Sequence, residues 1–154
     1  MKFSTNEDIL APIDLVFASV SDFDNFERQA LRHGAEITRQ DNLDAPGVGM
    51  CWNGRFTFRG RKRDVTAEVE QFETPQAFTV ASESSGLDGV IAVECIALAP
   101  HRTRLSVQVE LKPRTIPARV VIQSLKLAKT SLNKRFKKRV ADMAKNIEDK
   151  AARS

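Results

Sequence analysis

Beyond Pro117 the chain runs to its end without another proline or a glycine, and this stretch constrains the fold more than any other feature. Those two residues are the costliest in a helix interior. Their absence, in a segment dominated by helix formers, predicts one long helix from Ile116 or Pro117 to Ala152. Val121, Ile122, Leu125, Ala128, Leu132, Phe136, Val140, Met143 and Ile147 recur at intervals of three and four, tracing a single apolar stripe. A helix with one apolar side must lie on something, and the preceding residues have to provide it.

They do so by alternation. Phe3 to Leu10 reads as a first strand, stopped by Ala11-Pro12. Helical spacing follows twice. Val16, Phe17 and Val20 mark one short helix, with Pro12 at its start and Asp14 in its first turn. Phe23, Phe26 and Ala30 mark a second, capped by Ser21 or Asp22 and ended by His33-Gly34. From Ala35 the period changes from helical to strand-like. Strands are predicted at Ala35 to Asp41, Met50 to Phe58, Asp64 to Glu73, Ala77 to Ser84, Val90 to Ala99 and Leu105 to Leu111. The turns between them fall at Asp44 to Gly47, Gly60 to Lys62, Thr74 to Gln76, Gly86 to Gly89 and Pro100 to Arg102. Seven strands at this regular spacing form an antiparallel meander. The fold class is therefore α+β: a seven-stranded curved antiparallel sheet against a long C-terminal helix, with two short helices between the first and second strands. At 154 residues, 42% of them hydrophobic, the chain reads as a single domain, residues 1–154, able to bury a core unaided.

Charge is distributed unevenly. Of the 24 Lys and Arg, 12 lie from Arg114 onward against 3 Asp and Glu, so the basic character belongs to the C-terminal helix. With no aromatic residue interleaved among its exposed cations, the helix lacks the stacking platforms of a nucleic-acid surface. Nucleic acid is therefore not an expected partner, and the charges read first as a solvated face. Weak contact with an anionic membrane surface is compatible with them. A second basic group, Arg55, Arg59, Arg61, Lys62 and Arg63, reads as strand-edge protection. The apolar runs are short and the N-terminus does not resemble a signal peptide, so a cytoplasmic protein is expected. Cys51 falls on the polar face of its strand and Cys95 on the apolar face, which predicts two reduced thiols.

Signatures of chemistry are sparse. No HExxH, CxxC, P-loop or GxGxxG pattern occurs, so neither metal nor cofactor is expected. His33 and His101 sit in turns, and Glu68, Glu70 and Glu94 occupy the polar phase of their strands.

The element order resembles the helix-grip fold of the START and SRPBCC superfamily, which includes polyketide cyclase/dehydrase-like and birch-pollen-allergen-like proteins. The local wording is similar at Ile9-Leu10-Ala11-Pro12, Val16-Phe17, Ser21-Asp22-Phe23, Gly47-Val48-Gly49 with Trp52, Gly60-Arg61 and Lys112-Pro113. The resemblance implies a pocket between the concave sheet face and the helix, used for lipids, polyketides or sterol-like molecules. Alternation would turn Trp52, Phe56, Phe58, Phe78, Val80, Leu125, Leu132 and Phe136 toward that space, with Ser82 as a polar contact. The same residues would serve equally to fill a solid core; the resemblance is what adds the cavity. The expectation is a protein that binds or carries a hydrophobic small molecule without a catalytic residue. The alternatives are a cyclase or dehydratase, which needs an acid or base in the cavity, and an interaction module using the basic helix.

Overall fold

The computed structural model describes residues 1–153. Its strands are β1 (Lys2–Ile9), β2 (Glu36–Arg39), β3 (Cys51–Phe58), β4 (Arg61–Glu73), β5 (Ala77–Ser84), β6 (Leu87–Ala99) and β7 (Arg102–Pro113). Two helices, α1 (Ile13–Val20) and α2 (Phe23–Arg32), separate β1 from β2, and two more, α3 (Ile116–Leu127) and α4 (Lys129–Ala152), follow β7. The strands form one antiparallel sheet in the order β1-β7-β6-β5-β4-β3-β2. Register shifts between Val69 and Gln71 and between Ala97 and Ala99 place an extra residue in β4 and in β6. Such bulges bend a strand and sharpen its twist, and they give the sheet a concave face.

Several boundaries differ from expectation for one reason: the turns are tighter than composition suggests. β3 and β4 are joined by Arg59 and Gly60 alone, and β5 and β6 by Ser85 and Gly86 alone. All four residues have positive φ, as type I′ hairpin turns require. Asp88 and Gly89 therefore belong to β6 rather than to a turn, and Arg61, Lys62 and Arg63 belong to β4.

The C-terminal helix is also not continuous. It breaks at Ala128 (φ −103°, ψ 13°), whose N–H donates to the Leu125 carbonyl in a tightened last turn. No glycine or proline causes this. Each half buries its own stripe, Ala118 and Ile122 in α3 and Val140, Ala144 and Ile147 in α4. One straight axis could not keep both stripes against a curved face. Ala128, assigned to the buried stripe by its spacing, is exposed at the break.

The packed core lies at the α1–α2 end. Phe17, Phe23 and Phe78 are buried, and Phe72 packs against them. Phe23 meets Phe78 edge-on at 5.2 Å between centroids, and Phe17 meets Phe72 at 5.3 Å. Each such pair adds about 0.5–1.5 kcal/mol beyond the area it buries. Around the ring cluster stand Ile9, Val16, Val69, Leu105, Val140 and Ile147, all at most 5% exposed. The buried hydroxyl of Thr103 donates to the Ala11 carbonyl at 2.8 Å. Asp22 caps α2 by accepting from the Asn25 N–H, as its position suggests.

Both cysteines are free thiols. Cys95 is buried, and burial first, then the neighbouring charge of Glu94, pushes its thiol up to about 11. Cys51 is half-buried rather than solvent-facing, because the loop before β3 folds back over its backbone. Asp41 anchors that loop. Its carboxylate accepts from Arg39 Nε at 2.7 Å and from the N–H groups of Leu43 and Cys51, each at 2.9 Å.

Two outcomes follow. Phe78→Ala removes the ring shared by three aromatic contacts and should lower the free energy of unfolding by about 3–5 kcal/mol in urea melts. Asp41→Asn should be destabilising at neutral pH. The Arg39 guanidinium, together with the two N–H groups, holds the Asp41 carboxyl well below the usual range. Its contribution is therefore complete above the unfolded carboxyl's pKa of about 3.9 and fades as the pH falls below it. The stability gap between wild type and Asp41→Asn, followed by denaturation across pH, should narrow below about pH 4.

Candidate functional site

At the opposite end of the sheet from the ring cluster, α3 crosses the concave face without filling it. The space left is a cavity of about 230 Å³. Phe56 and Phe58 of β3, Leu87 of β6, and Pro117, Ala118, Val121 and Leu125 of α3 form its walls, and Ser84 and Ser85 lie at its rim. Among the described residues one ionisable side chain enters the lining, that of Arg63.

The two type I′ turns build this end of the molecule. Across the first, Phe58 faces Arg61 and Phe56 faces Arg63, so Arg63 shares the concave phase with Val65, Ala67 and Val69. The Arg63 guanidinium lies 5.4 Å from the centroid of the Phe58 ring, and its Nε donates to the Phe58 carbonyl at 3.4 Å. A cation over a ring face gains roughly 0.5–2 kcal/mol, more as water is excluded. Among the described residues no carboxylate pairs with Arg63, whereas Arg55 on the outer face pairs with Asp64 at 2.9 Å. Arg63 is thus a half-buried cation held by an aromatic face and one carbonyl.

The same turns hold α3 in place. Arg59, at the tip of the first, donates from Nη1 to the Ser124 hydroxyl at 3.2 Å. At the second, the Arg114 N–H donates to the Gly86 carbonyl at 2.7 Å, and the Thr115 hydroxyl caps α3 by accepting from the Ala118 N–H. A Cβ on Gly86 would stand 2.5 Å from the Thr115 side chain, so only glycine permits this approach. Arg114 adds ion pairs to Asp88 at 2.7 Å and Glu83 at 3.3 Å.

The nine residues expected to face a pocket separate into groups. Phe56, Phe58 and Leu125 line the cavity. Phe78 is buried in the ring cluster, while Trp52, Val80 and Phe136 are half-buried against the core. Trp52 meets Phe23 edge-on at 5.6 Å, and Phe136 meets Phe3 at 6.0 Å. Ser82 spends its hydroxyl on the Gly89 carbonyl across the strand pair at 3.2 Å. Leu132 is half-buried beyond the helix break, outside the cavity lining. Between the two ends the helices leave the sheet partly uncovered: Ile91 shares the concave phase with Val93 and Cys95, yet is 39% exposed.

Arg63 is the residue that composition concealed. Grouped with its basic neighbours it reads as edge protection, but counting the register through a two-residue turn at Arg59-Gly60 would have placed it inward. The carboxylates lie where alternation put them, with Glu68, Glu70 and Glu94 exposed on the outer face. His33 is exposed and engages its own helix through the Gln29 carbonyl, and His101 lies in the turn after β6. A larger trough of about 920 Å³ separates α2 from α4, but it is an open surface feature of mixed lining, with Phe26, Met143 and Ile147 beside Gln29, Arg135, Arg139 and Asn146. Among the described residues there is no cluster of His, Cys, Asp and Glu able to hold a metal ion, and no helix is long and apolar enough to cross a membrane.

No family model matches the sequence, and no curated protein matches it. Solved structures do match. The Zhui aromatase/cyclase from Streptomyces sp. R1128 superposes with a TM-score of 0.65 at 11% identity, covering 96% of this chain and 93% of that one. A point mutant of Thalictrum flavum norcoclaurine synthase, in complex with a transition-state analogue, gives 0.65 at 11% identity over 97% and 94%. An HSP90 activator from Plasmodium falciparum gives 0.53 at 18% identity over 85% and 89%. At such identities the likeness is one of architecture, and it agrees with the strand order, the paired short helices and the helix gripped at the chain's end. The chain has the helix-grip fold that these structures share, a curved seven-stranded antiparallel sheet closed by the helical C-terminal segment.

Proposed function

We propose that the protein binds or carries a small hydrophobic molecule bearing an anionic head group, with the chain of the ligand between β3 and α3 and its head group on Arg63. The observation that carries this reading is an apolar cavity containing a single cation without a carboxylate partner. An arginine in such a place recognises carboxylate or phosphate through its planar fork, while the phenylalanine and aliphatic walls recognise only size and apolarity.

The volume limits the ligand. About 230 Å³ lies below the roughly 300–1,000 Å³ of drug-sized pockets. At about 30 Å³ for each water-sized group, it accommodates roughly eight such groups. This suits a medium-chain carboxylic acid or a one-ring aromatic acid, and a longer chain would have to extend along the uncovered sheet toward Ile91.

The structural neighbours named as a cyclase and a synthase keep an enzymatic reading in view, and proton transfer requires a group that can change its charge. Among the described residues the cavity lining contains no carboxylate, imidazole, thiol or phenol, and a guanidinium stays protonated. This favours binding over catalysis.

The test compares ligands of equal length. Calorimetry should show octanoate binding more tightly than octanol by tenfold or more, since a hydrogen bond to a charged group contributes about 1.5–3 kcal/mol. Arg63→Met should abolish that preference while leaving octanol affinity near the wild-type value. Equal binding of the two by the wild-type protein, or binding of neither, contradicts the proposal.

A further inference from the structure

We infer that the outward face of α3, with the β3–β4 turn beside it, is a docking surface for an anionic lipid bilayer. The first observation is apolar exposure that folding does not explain. Ile116, Val120 and Leu127 are 76%, 57% and 93% exposed. Their spacing of four and seven residues sets them in one stripe on the side of α3 opposite Ala118, Ile122 and Leu125. α3 is therefore apolar on two sides, one against the protein and one against solvent. Leu127 adjoins the break at Ala128.

The second observation is charge. Helical geometry puts Arg119 and Lys126 along one flank of this stripe. Ser124 is on the other flank, where it receives Arg59 at 3.2 Å and with it the turn carrying Arg61 and Lys62. All five cations are exposed. No Asp or Glu occurs between Glu110 and Asp142, and the carboxylates of the β5–β6 hairpin, Glu83 and Asp88, are engaged by Arg114. Asp64 is engaged by Arg55.

An apolar ridge between two rows of cations matches a membrane interface. The ridge enters the boundary between head groups and acyl chains, while the cations meet lipid phosphates. A second copy of this chain would bring like charges together, and nucleic acid would leave the ridge without a partner. Docking on this face also sets α3 and the adjacent cavity against the bilayer, where an amphiphile can exchange.

The experiment is co-sedimentation of the full chain with vesicles. Binding is expected to mixed phosphatidylcholine–phosphatidylglycerol vesicles, to weaken with added salt, and to be absent with phosphatidylcholine alone. Two double variants separate the contributions, and both alter only exposed side chains, so circular dichroism should be unchanged. Val120→Ser with Leu127→Ser should reduce binding tenfold or more while preserving its salt dependence, and Arg119→Glu with Lys126→Glu should abolish it. Several results overturn the inference: no sedimentation with the mixed vesicles at low salt, binding unaffected by the serine pair, self-association in place of vesicle binding, or capture of an oligonucleotide in its place. No cavity ligand is needed for this measurement, so its failure leaves the proposed ligand site untouched.

Discussion

A bent sheet and a straight helix cannot remain in contact along their whole length, and the architecture of this protein resolves that conflict by breaking the helix. Bulges in β4 and β6 impose the bend. With the axis interrupted at Ala128, α4 lies along β1 and presses Val140, Ala144 and Ile147 into the core. α3 is left to bridge the far end of the trough. The phenylalanine cluster and the cavity are thus two results of one mismatch, close packing where the helix follows the sheet and open volume where it does not.

An element standing over a void loses part of the hydrophobic stabilisation that fixes an ordinary core helix, so α3 needs other restraints. They come from the two hairpin turns, through the Arg59–Ser124 hydrogen bond, the Gly86–Thr115 approach and the Arg114 ion pairs. Most of these groups are at least partly exposed, where each polar contact contributes little alone. The packed end and the α3 end should therefore differ in local stability, as binding elements commonly differ from the scaffold that supports them. A ligand between β3 and α3 would add apolar contact where the protein has least.

The sequence discloses the sheet well because its signal is local. A strand with one face buried alternates, and Val65, Ala67 and Val69 against Thr66, Glu68 and Glu70 is a clear instance. Capping is equally local, so Asp22 could be recognised as the start of α2. The break at Ala128 has no such signal, since Lys126 to Ser131 contains neither glycine nor proline and the cause is the shape of a distant sheet. Arg63 was concealed for another reason. Its inward direction depends on the length of the turn before it, and five basic residues in a short span suggest a surface before they suggest a wall. Trp52 and Phe78 illustrate the converse, because their phase correctly points them inward, but phase cannot distinguish the packed end of the sheet from the open one.

The central claim is that the space beneath α3 is a ligand site organised by Arg63 rather than a packing fault. The most direct measurement is an isotope-filtered NMR experiment on labelled protein with unlabelled octanoate. The account predicts contacts from the ligand chain to the Phe56 and Phe58 rings and to the Leu125 methyl groups, with the carboxylate end nearest Arg63. Contacts confined to the α2–α4 trough or to the outer face of α3, with none to these rings, would contradict it.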